Sequence, residues 1–306
     1  MNNAHDRFCK ETLTRKENAA SFFREYLPGG VADRADWRTL KIVKETFVSP
    51  ELEERFSDIL YTVRVKGLLV FLYLLFEHQS TVDSWMPLRF YHYMGGIWDL
   101  FLKQNPDETR LPEIIPILFY HGKNPWTVSS RFQDLIVEPA LMPDCRPRFE
   151  HVVRDLSAFS DSEIKGNVSI RLFLSVTRRI FHPDFGEHLD RMLPLFAELS
   201  RKRTGMEYLE TVLRYIYNVR DDIDLEETEA KLIQVIDADK KEGVMTVAER
   251  LRREGEIRGE IRGKIKICQE FLAGGLLSKD MVEQKIAELN RELEKLTRES
   301  ATYPEH

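Results

Sequence analysis

The chain has 306 residues, of which 42% are hydrophobic, so it is long enough to bury a substantial core and to carry an appendage. Its net charge of −6 argues against a general nucleic-acid-binding protein, because affinity for phosphate comes mostly from clustered lysine and arginine. Three widely spaced cysteines (Cys9, Cys145 and Cys268) predict neither a zinc site nor a disulfide framework. The longest apolar run, 68–76, is far shorter than the roughly 20 residues of a membrane span, so we expect a cytoplasmic protein with no membrane partner.

The first half of the chain mixes helical and strand-like patterns. A helix is expected first and ends at Pro28-Gly29-Gly30. Strand-like segments follow, rich in β-branched and aromatic residues, and Lys66-Gly67 marks a tight turn between two of them. In chain order, the pattern predicts helix 4–27, strand 39–48, strands 59–65 and 68–76, helix 83–104 and strand 114–120.

After about residue 145 the strand-like runs stop and helical periodicity continues, through 161–182, 187–200 and 205–218. An acidic block at 221–227 marks either a helix start or a linker. We therefore expect three parts: a sheet-containing core at 1–145, a helical domain at 146–240 and a helical, coiled-coil-like tail at 241–306.

The tail contains glycine at every fourth position. Gly255, Gly259 and Gly263 form one stripe of the expected helix, and each costs about 1 kcal/mol of helix propensity relative to alanine. One interpretation is a helix that another backbone approaches closely, such as its own copy in a homodimer. The alternative is a solvated, frayed tail. Apolar residues in 280–298 recur with the spacing of a coiled coil, which slightly favours pairing.

Two carboxylates follow the hairpin predicted at Gly67. Asp58 enters the first strand and Glu77 closes the second, so an even displacement places both on one face of the sheet. Gln79 shares the face of Glu77, whereas His78 points away and could offer only its carbonyl oxygen to a metal. Two neighbouring carboxylates resist joint ionisation unless a cation lies between them, and hard oxygen ligands suit Mg²⁺. The alternative for Asp58 is a strand-entry acid that accepts backbone N–H groups.

An ordered set of motifs resembles the Rpn family of recombination-promoting nucleases, also described as transposases, within the PD-(D/E)XK nuclease superfamily. The set covers residue 4 to about residue 265, and it comprises His5-Asp6-Arg7-Phe8, Ser57-Asp58-Ile59-Leu60-Tyr61, Glu77-His78-Gln79-Ser80, Trp85-Met86-Pro87-Leu88-Arg89, Pro116-Ile117-Leu118-Phe119-Tyr120-His121-Gly122 with Pro125-Trp126, and Met245-Thr246-Val247-Ala248-Glu249-Arg250-Leu251. Gln79 occupies the position where the wider superfamily often carries lysine. Because glutamine is neutral, the metal must supply more of the stabilisation of the charge that develops on the attacked phosphate.

The resemblance implies an α/β fold with a restriction-endonuclease-like core, a mixed sheet flanked by helices, followed by an all-helical C-terminal region. The order helix, three strands, helix, strand read from the sequence agrees with it. It also implies a bacterial Mg²⁺-dependent DNA endonuclease, with Mn²⁺ as a substitute, linked to RecA-independent recombination and horizontal transfer of DNA. We therefore expect Asp58 and Glu77 to hold the metal, Gln79 to position the nucleophilic water, and the protein to associate with the nucleoid when bound to DNA.

Further residues are candidates for supporting roles. His5, Asp6 and Lys10 match the N-terminal motif as neighbours of phosphate or metal, although Asp6 also suits a helix N-terminus. His121 reaches the same edge of the sheet only if its strand runs parallel to the Glu77 strand, and it is otherwise a structural histidine.

Two basic clusters, at 201–203 and within 246–266, are candidates for contact with DNA. Their alternative is a solvated helix face of mixed charge. The candidates for DNA binding in the second cluster are Arg250, Arg253, Arg258 and Arg262.

Two other classes of protein remain open. The first is a catalytically inactive DNA-binding or protein-interaction scaffold of the same fold, which would show no metal-dependent cleavage. The second is a toxin-like or assembly module whose helical tail binds a protein partner.

Overall fold

The computed structural model describes residues 4–43, 57–77, 82–122, 124–137, 142–274 and 278–299. The chain divides into two compact units, Met1–Ile223 and Asp224–His306. Within the described residues, no helix combines the length and the apolar character needed to cross a bilayer.

The first unit holds a sheet and most of the helices. Its helices are α1 (Ala4–Leu13), α2 (Lys16–Tyr26), α3 (Gly29–Ala32), α4 (Met86–Gln104), α5 (Val168–Arg179), α6 (Phe185–Ser200) and α7 (Gly205–Val219). Its strands are β1 (Ala35–Ile42), β2 (Ser57–Val65), β3 (Leu68–Glu77), β4 (Glu113–Tyr120) and β5 (Val152–Asp155).

The five strands form one mixed sheet in the order β1-β2-β3-β4-β5. The pairs β1–β2 and β2–β3 are antiparallel, and the pairs β3–β4 and β4–β5 are parallel. Helix α4 supplies the crossover between β3 and β4, as parallel strands require. The predicted order of helix, three strands, helix and strand is confirmed, and the architecture is that of a restriction-endonuclease-like core with a helical C-terminal region.

The β2–β3 hairpin turns at Lys66 and Gly67. Both residues adopt positive φ angles, 51° and 82°, which is the conformation of the two-residue turns that match the twist of paired strands. The predicted turn is therefore confirmed, and it fixes the register in which Asp58 lies opposite Leu75.

Each face of the sheet packs against helices. On one face, Tyr73 and Leu75 of β3 join Phe90 and Tyr93 of α4 in a buried cluster. On the other, Phe119 of β4 lies against aromatic rings of the helices α2 and α5, with ring centroids 5.6 Å from Phe22 and 6.0 Å from Phe173. The strands β3 and β4 are thus covered on both sides, as their nearly unbroken apolar sequences predict.

Several features differ from the sequence predictions; for example, the helix expected over 161–182 is observed at Val168–Arg179. The helix expected over 4–27 is broken between α1 and α2. There, the hydroxyl of Tyr61 on β2 donates to the carbonyl of Leu13 at 2.7 Å, which satisfies the end of α1. The strand expected over 39–48 is observed at Ala35–Ile42, and residues 44–48 lie outside the described residues. The expected loss of strands after residue 145 is wrong, because β5 adds a fifth strand beside β4.

The division between the two compact units lies between Ile223 and Asp224, and the predicted three-part division at residues 145 and 240 stays a prediction. Helices α5–α7 belong to the same unit as the sheet. Both α5 and α7 pack on α1, and α5 also packs on the face that carries Phe119. The acidic block contains the start of the next helix, where the Asp224 carboxylate accepts hydrogen bonds from the N–H groups of Glu226 and Glu227.

The second unit consists of α8 (Leu225–Val235), the long α9 (Lys241–Ala273) and α10 (Lys279–Glu299). Helices α9 and α10 pack against each other as a hairpin, with Ile261 and Leu289 buried. Gly255, Gly259 and Gly263 lie on the exposed side of α9, and a methyl group added at any of them would meet no other described residue within 4 Å.

A buried histidine next to β5 should make the first unit sensitive to acid. His151 is 2% exposed and its ring lies 4.8 Å from that of Phe90. Burial lowers the pKa of His151 to about 4, although Glu150 and the backbone of Ser130 act in the opposite direction. Above pH 6.5 the ring is neutral in both folded and unfolded chains, whereas below it the unfolded chain takes up the proton first.

We therefore expect His151 to remove about 2–3 kcal/mol of the free energy of unfolding between pH 7 and pH 4.5. Urea unfolding of the wild type and of His151→Leu at both pH values measures this contribution. The variant should lose that much less stability over the interval, and equal losses in both proteins would contradict the assignment.

Candidate functional site

Asp58 and Glu77 share one face at one end of the sheet. Asp58 lies opposite Leu75, and Glu77 ends the same strand two residues further on. Because side chains alternate along a strand, both carboxylates point to the α4 side, as diagonal neighbours whose Cα atoms are roughly 7–8 Å apart. The predicted shared face is therefore confirmed.

The half-buried Asp58 carboxylate accepts a hydrogen bond from the Tyr73 hydroxyl at 3.0 Å. Burial raises the pKa of Asp58, and the Tyr73 hydrogen bond together with the positive charges of Lys10 and Arg89 opposes that rise without cancelling it. The ionised carboxylate is thus under-stabilised, and a cation beside it would favour the charged form.

Glu77 is paired with Arg89, whose role the sequence reasoning missed. The Glu77 side chain is 3% exposed, and Arg89 Nη1 lies 3.3 Å from its Oε2 and 3.0 Å from Oδ2 of Asp83. Burial acts to lower the pKa of Arg89, but Asp83, Tyr93 and Glu77 outweigh it and hold the pKa above its usual value. A helical arginine shortly after the Glu77 strand, within the Trp85–Arg89 motif, was the available signal, because a buried carboxylate needs a cation.

The strand next to Glu77 ends at Tyr120, whose ring centroid lies 5.1 Å from that of Trp126. The β4 residue Tyr120 lies beside Glu77 in parallel register, and burial, Asp155 and Glu77 together raise the pKa of its phenol. Asp155 accepts a hydrogen bond from the backbone N–H of Trp126 at 2.7 Å. A Cβ at Gly122 would lie 2.0 Å from the Tyr120 hydroxyl, so a larger residue there would force the Tyr120 ring to move. The His121-Gly122 and Pro125-Trp126 motifs therefore shape the edge of the sheet.

His121 reaches the same edge, because β3 and β4 are parallel and its N–H donates to the Glu77 carbonyl at 3.0 Å. Its ring, however, packs toward the opposite face, 6.3 Å from Phe119 and 5.6 Å from His5. His5 in turn shares a hydrogen bond of 2.6 Å between its Nδ1 and the Tyr215 hydroxyl. Both histidines lie at the correct end of the sheet but on the side away from the carboxylates.

Helix α1 brings a positive charge to Asp58. Lys10 is exposed, and its charge acts on the Asp58 carboxyl, while the half-buried Asp6 lies one turn earlier on the same side of the helix. The helix is held by the Tyr61 hydrogen bond to Leu13 and by a 2.8 Å hydrogen bond between the hydroxyls of Thr12 and Tyr208. A role for Lys10 and Asp6 as neighbours of phosphate or metal stays a prediction.

The remaining predicted residues lie elsewhere. His78 and Gln79 are outside the described residues. Of the arginines predicted to contact DNA, three are exposed on α9 and Arg258 is half-buried; the exposed ones are Arg250, Arg253 and Arg262. Glutamates alternate with them along the helix, so the mixed-charge surface remains an alternative to a DNA contact.

The donor set at the sheet edge suits Mg²⁺. The carboxylate oxygens of Asp58, Glu77 and Asp83 are hard ligands, and the raised pKa of Asp58 shows that this position favours additional positive charge. Arg89 lies near one oxygen of Glu77, Oε2. Asp58 and Glu77 are the residues that would hold the ion.

Replacing Tyr73 by phenylalanine removes the hydroxyl that orients Asp58 while keeping the aromatic ring in the core. We expect Mg²⁺-dependent activity or metal affinity to fall about 10–100-fold, the usual loss when a partner of a metal ligand is removed. Metal titrations followed by activity measure it, with Tyr91→Phe on the exposed side of α4 as the control. Unchanged metal dependence in Tyr73→Phe would show that Asp58 does not depend on this hydrogen bond.

The sheet with carboxylates gathered at one edge places the chain in the restriction-endonuclease-like class. The family described as "Putative transposase, YhgA-like" matches residues 3–207, and the chain belongs to this family. No solved structure matches the chain.

Three Escherichia coli proteins are similar to most of the chain. Recombination-promoting nuclease RpnA of Escherichia coli (strain K12) is 27% identical over 82% of this chain and 84% of its own length. RpnD of E. coli O157:H7 is 26% identical over 82% of this chain and 94% of its own length. RpnE of strain K12, which is named an inactive recombination-promoting nuclease-like protein, is 28% identical over 89% of this chain and 90% of its own length.

Proposed function

We propose that the protein is a Mg²⁺-dependent DNA endonuclease that hydrolyses phosphodiester bonds. The observation that carries the proposal is the pair of carboxylates, Asp58 and Glu77, on one face at the edge of the sheet, where burial raises the pKa of Asp58. The naming of RpnA and RpnD as recombination-promoting nucleases supports the same activity.

Each residue of the site has a part in this proposal. Asp58 and Glu77 would hold the ion, and Arg89 pairs with the buried Glu77 carboxylate at 3.3 Å. A bound Mg²⁺ supplies a more acidic water and offsets charge on the scissile phosphate. Lys10 adds a second positive charge on the DNA side, and Gln79 orients the attacking water by hydrogen bonding.

A plasmid-nicking assay tests the proposal. Untagged protein should convert supercoiled DNA to nicked or linear forms in the presence of Mg²⁺ or Mn²⁺. This cleavage should stop when a chelator is added. Cleavage that persists in chelator, or no cleavage with either metal, would contradict a metal-dependent nuclease.

The second candidate is a catalytically inactive scaffold that binds DNA or protein. It is favoured by the name of RpnE and by the ion pair between Glu77 and Arg89, which already neutralises one of the two carboxylates. A scaffold would bind DNA in a gel-shift assay with the same affinity in Mg²⁺ and in chelator, and would leave the DNA intact. Cleavage in Mg²⁺ excludes it.

The biological setting is also a proposal. The names of the relatives support a role in DNA recombination, and we infer that the cleavage serves RecA-independent recombination and horizontal transfer on the nucleoid. The α9 arginines are proposed to contact the phosphates of the DNA backbone. Reversing the charge of both Arg250 and Arg253 should therefore weaken DNA binding and reduce its dependence on salt.

A homodimer through the C-terminal helices stays a prediction, and the glycine stripe of α9 offers its test. Replacing Gly255, Gly259 and Gly263 by alanine should stabilise an isolated helix by about 1 kcal/mol per residue, because the added methyl groups meet nothing within 4 Å in the part of the chain that the structure describes. If a second backbone packs on this stripe, the same methyl groups should instead lower the dimer population in light scattering. An unchanged mass per particle would remove the stripe from any interface.

A further inference from the structure

Two histidines and an aspartate converge where α5 passes into α6. The Asp184 carboxylate contacts His182 Nδ1 through Oδ1, and its Oδ2 lies 3.3 Å from His188 Nε2. One ligand atom from each of the three residues lies within 4.8 Å of the other two. The two imidazole rings are 6.0 Å apart, on either side of the carboxylate.

The backbone holds this turn in place from several directions. The N–H of His182 donates to the Arg179 carbonyl at 2.8 Å, and the N–H of His188 donates to the Asp184 carbonyl at 3.2 Å. From the end of α7, Arg220 Nη1 donates to the carbonyl of His182 at 2.8 Å, and its guanidinium lies 5.6 Å from the centre of the Phe185 ring. The three side chains are therefore presented by a fixed turn.

Asp184 does not cap the helix that follows it. It directly precedes α6, where an aspartate commonly accepts a hydrogen bond from a free backbone N–H, yet it makes no such capping bond. Both of its oxygens instead face imidazole nitrogens. The side chains of His182 and Asp184 are 51% and 42% exposed, so a metal ion and its waters can reach the cluster.

We propose that His182, Asp184 and His188 form a transition-metal site that binds Zn²⁺. Two imidazole nitrogens and one carboxylate oxygen match the donors of open zinc sites and leave a fourth position for water, whereas Mg²⁺ and Ca²⁺ prefer oxygen alone. No cysteine belongs to this site, so it is not the kind of zinc site that the spacing of the three cysteines argued against. The positive charges of Arg179 and Arg191 act on His188, so the affinity should be lower than at a closed four-ligand site.

Because of its position, a metal ion bound at this cluster would stabilise the turn between α5 and α6. The turn that carries His182 also carries Phe181, whose ring lies 5.0 Å from that of His5. Zinc would link this turn to the first turn of α6 and so fix the ring of Phe181 against α1. The site does not depend on the proposed nuclease activity, since none of its three residues belongs to the Asp58–Glu77 pair.

Metal binding by the untagged full chain tests the site directly. The Asp58→Asn background removes the other carboxylate pair from competition. In that background, equilibrium dialysis with Zn²⁺ should give one bound ion per chain, and Co²⁺ should produce visible absorption bands. His182→Ala and His188→Ala should each weaken binding by at least about 10-fold, the loss that even an outer partner of a metal ligand produces.

His92→Ala, at an exposed histidine on α4, is the matched control and should leave the affinity unchanged. Circular dichroism of each variant confirms that the fold is kept, and His188→Gln provides a smaller change at the less exposed ligand. Binding of less than one equivalent in the Asp58→Asn protein, or an affinity unchanged in both His182→Ala and His188→Ala, would overturn the site. In that case the cluster is an ordinary histidine–aspartate contact.

Discussion

Replacing Asp58 by asparagine should reduce Mg²⁺-dependent DNA cleavage by about three orders of magnitude. The substitution removes the negative charge that holds the ion, and a metal typically contributes several kcal/mol of transition-state stabilisation. The fold should survive, because burial raises the pKa of Asp58 and a neutral amide has a smaller desolvation cost there. The amide oxygen still accepts the hydrogen bond from Tyr73.

Single-turnover nicking rates and thermal unfolding, measured on the same preparations, separate these two effects. Asp36→Asn, at a partly exposed aspartate on β1 of the same sheet, is the matched control and should cut at the wild-type rate. A wild-type rate for Asp58→Asn would remove Asp58 from the metal site. A large loss of stability in Asp58→Asn would show that this carboxylate has a structural role.

The largest effect on stability is expected at Glu210. In α7, Arg214 Nη2 lies 2.6 Å from Oε1 of Glu210, and the two side chains are 6% and 2% exposed. Glu210→Ala removes this carboxylate from a buried guanidinium, which typically destabilises a protein by about 3–5 kcal/mol. The same helix carries Tyr208 and Tyr215, which hold α1 and therefore Lys10 near the candidate site.

Chemical unfolding of three variants isolates the cause. Glu210→Met/Arg214→Leu replaces both charges with apolar groups of similar size and should recover most of the stability that the single variant loses. Glu288→Ala breaks an exposed pair of nearly the same length on α10 and should cost at most about 1 kcal/mol. A Glu210→Ala protein within 1 kcal/mol of the wild type would contradict the assignment.

Sequence patterns predicted correctly the features that depend on residues close together in the chain. Lys66-Gly67 can adopt the left-handed conformation of a two-residue hairpin turn, and this turn alone sets the register of Asp58 against β3. The apolar sequence of β3 indicated a central strand. These two features were enough to place the carboxylates on one face.

Long-range contacts explain what the sequence did not predict. No residue between α1 and α2 breaks a helix by itself, and the break coincides with a hydrogen bond from Tyr61, 48 residues away. Strand β5 has only four residues and is defined by its pairing with β4. The periodicity of α5 showed that it is a helix but not that it covers the sheet. Arg89 was missed for the same reason, because a stripe pattern does not show which carboxylate a helical arginine meets.

The most direct test is anomalous diffraction from crystals soaked in Mn²⁺. The account predicts a strong peak at the edge of the sheet, coordinated by the side-chain oxygens of both Asp58 and Glu77, and its loss in Asp58→Asn crystals. A fully soaked crystal with no peak there, or with manganese bound only at His182, Asp184 and His188, would contradict a metal-dependent nuclease built on these two acids.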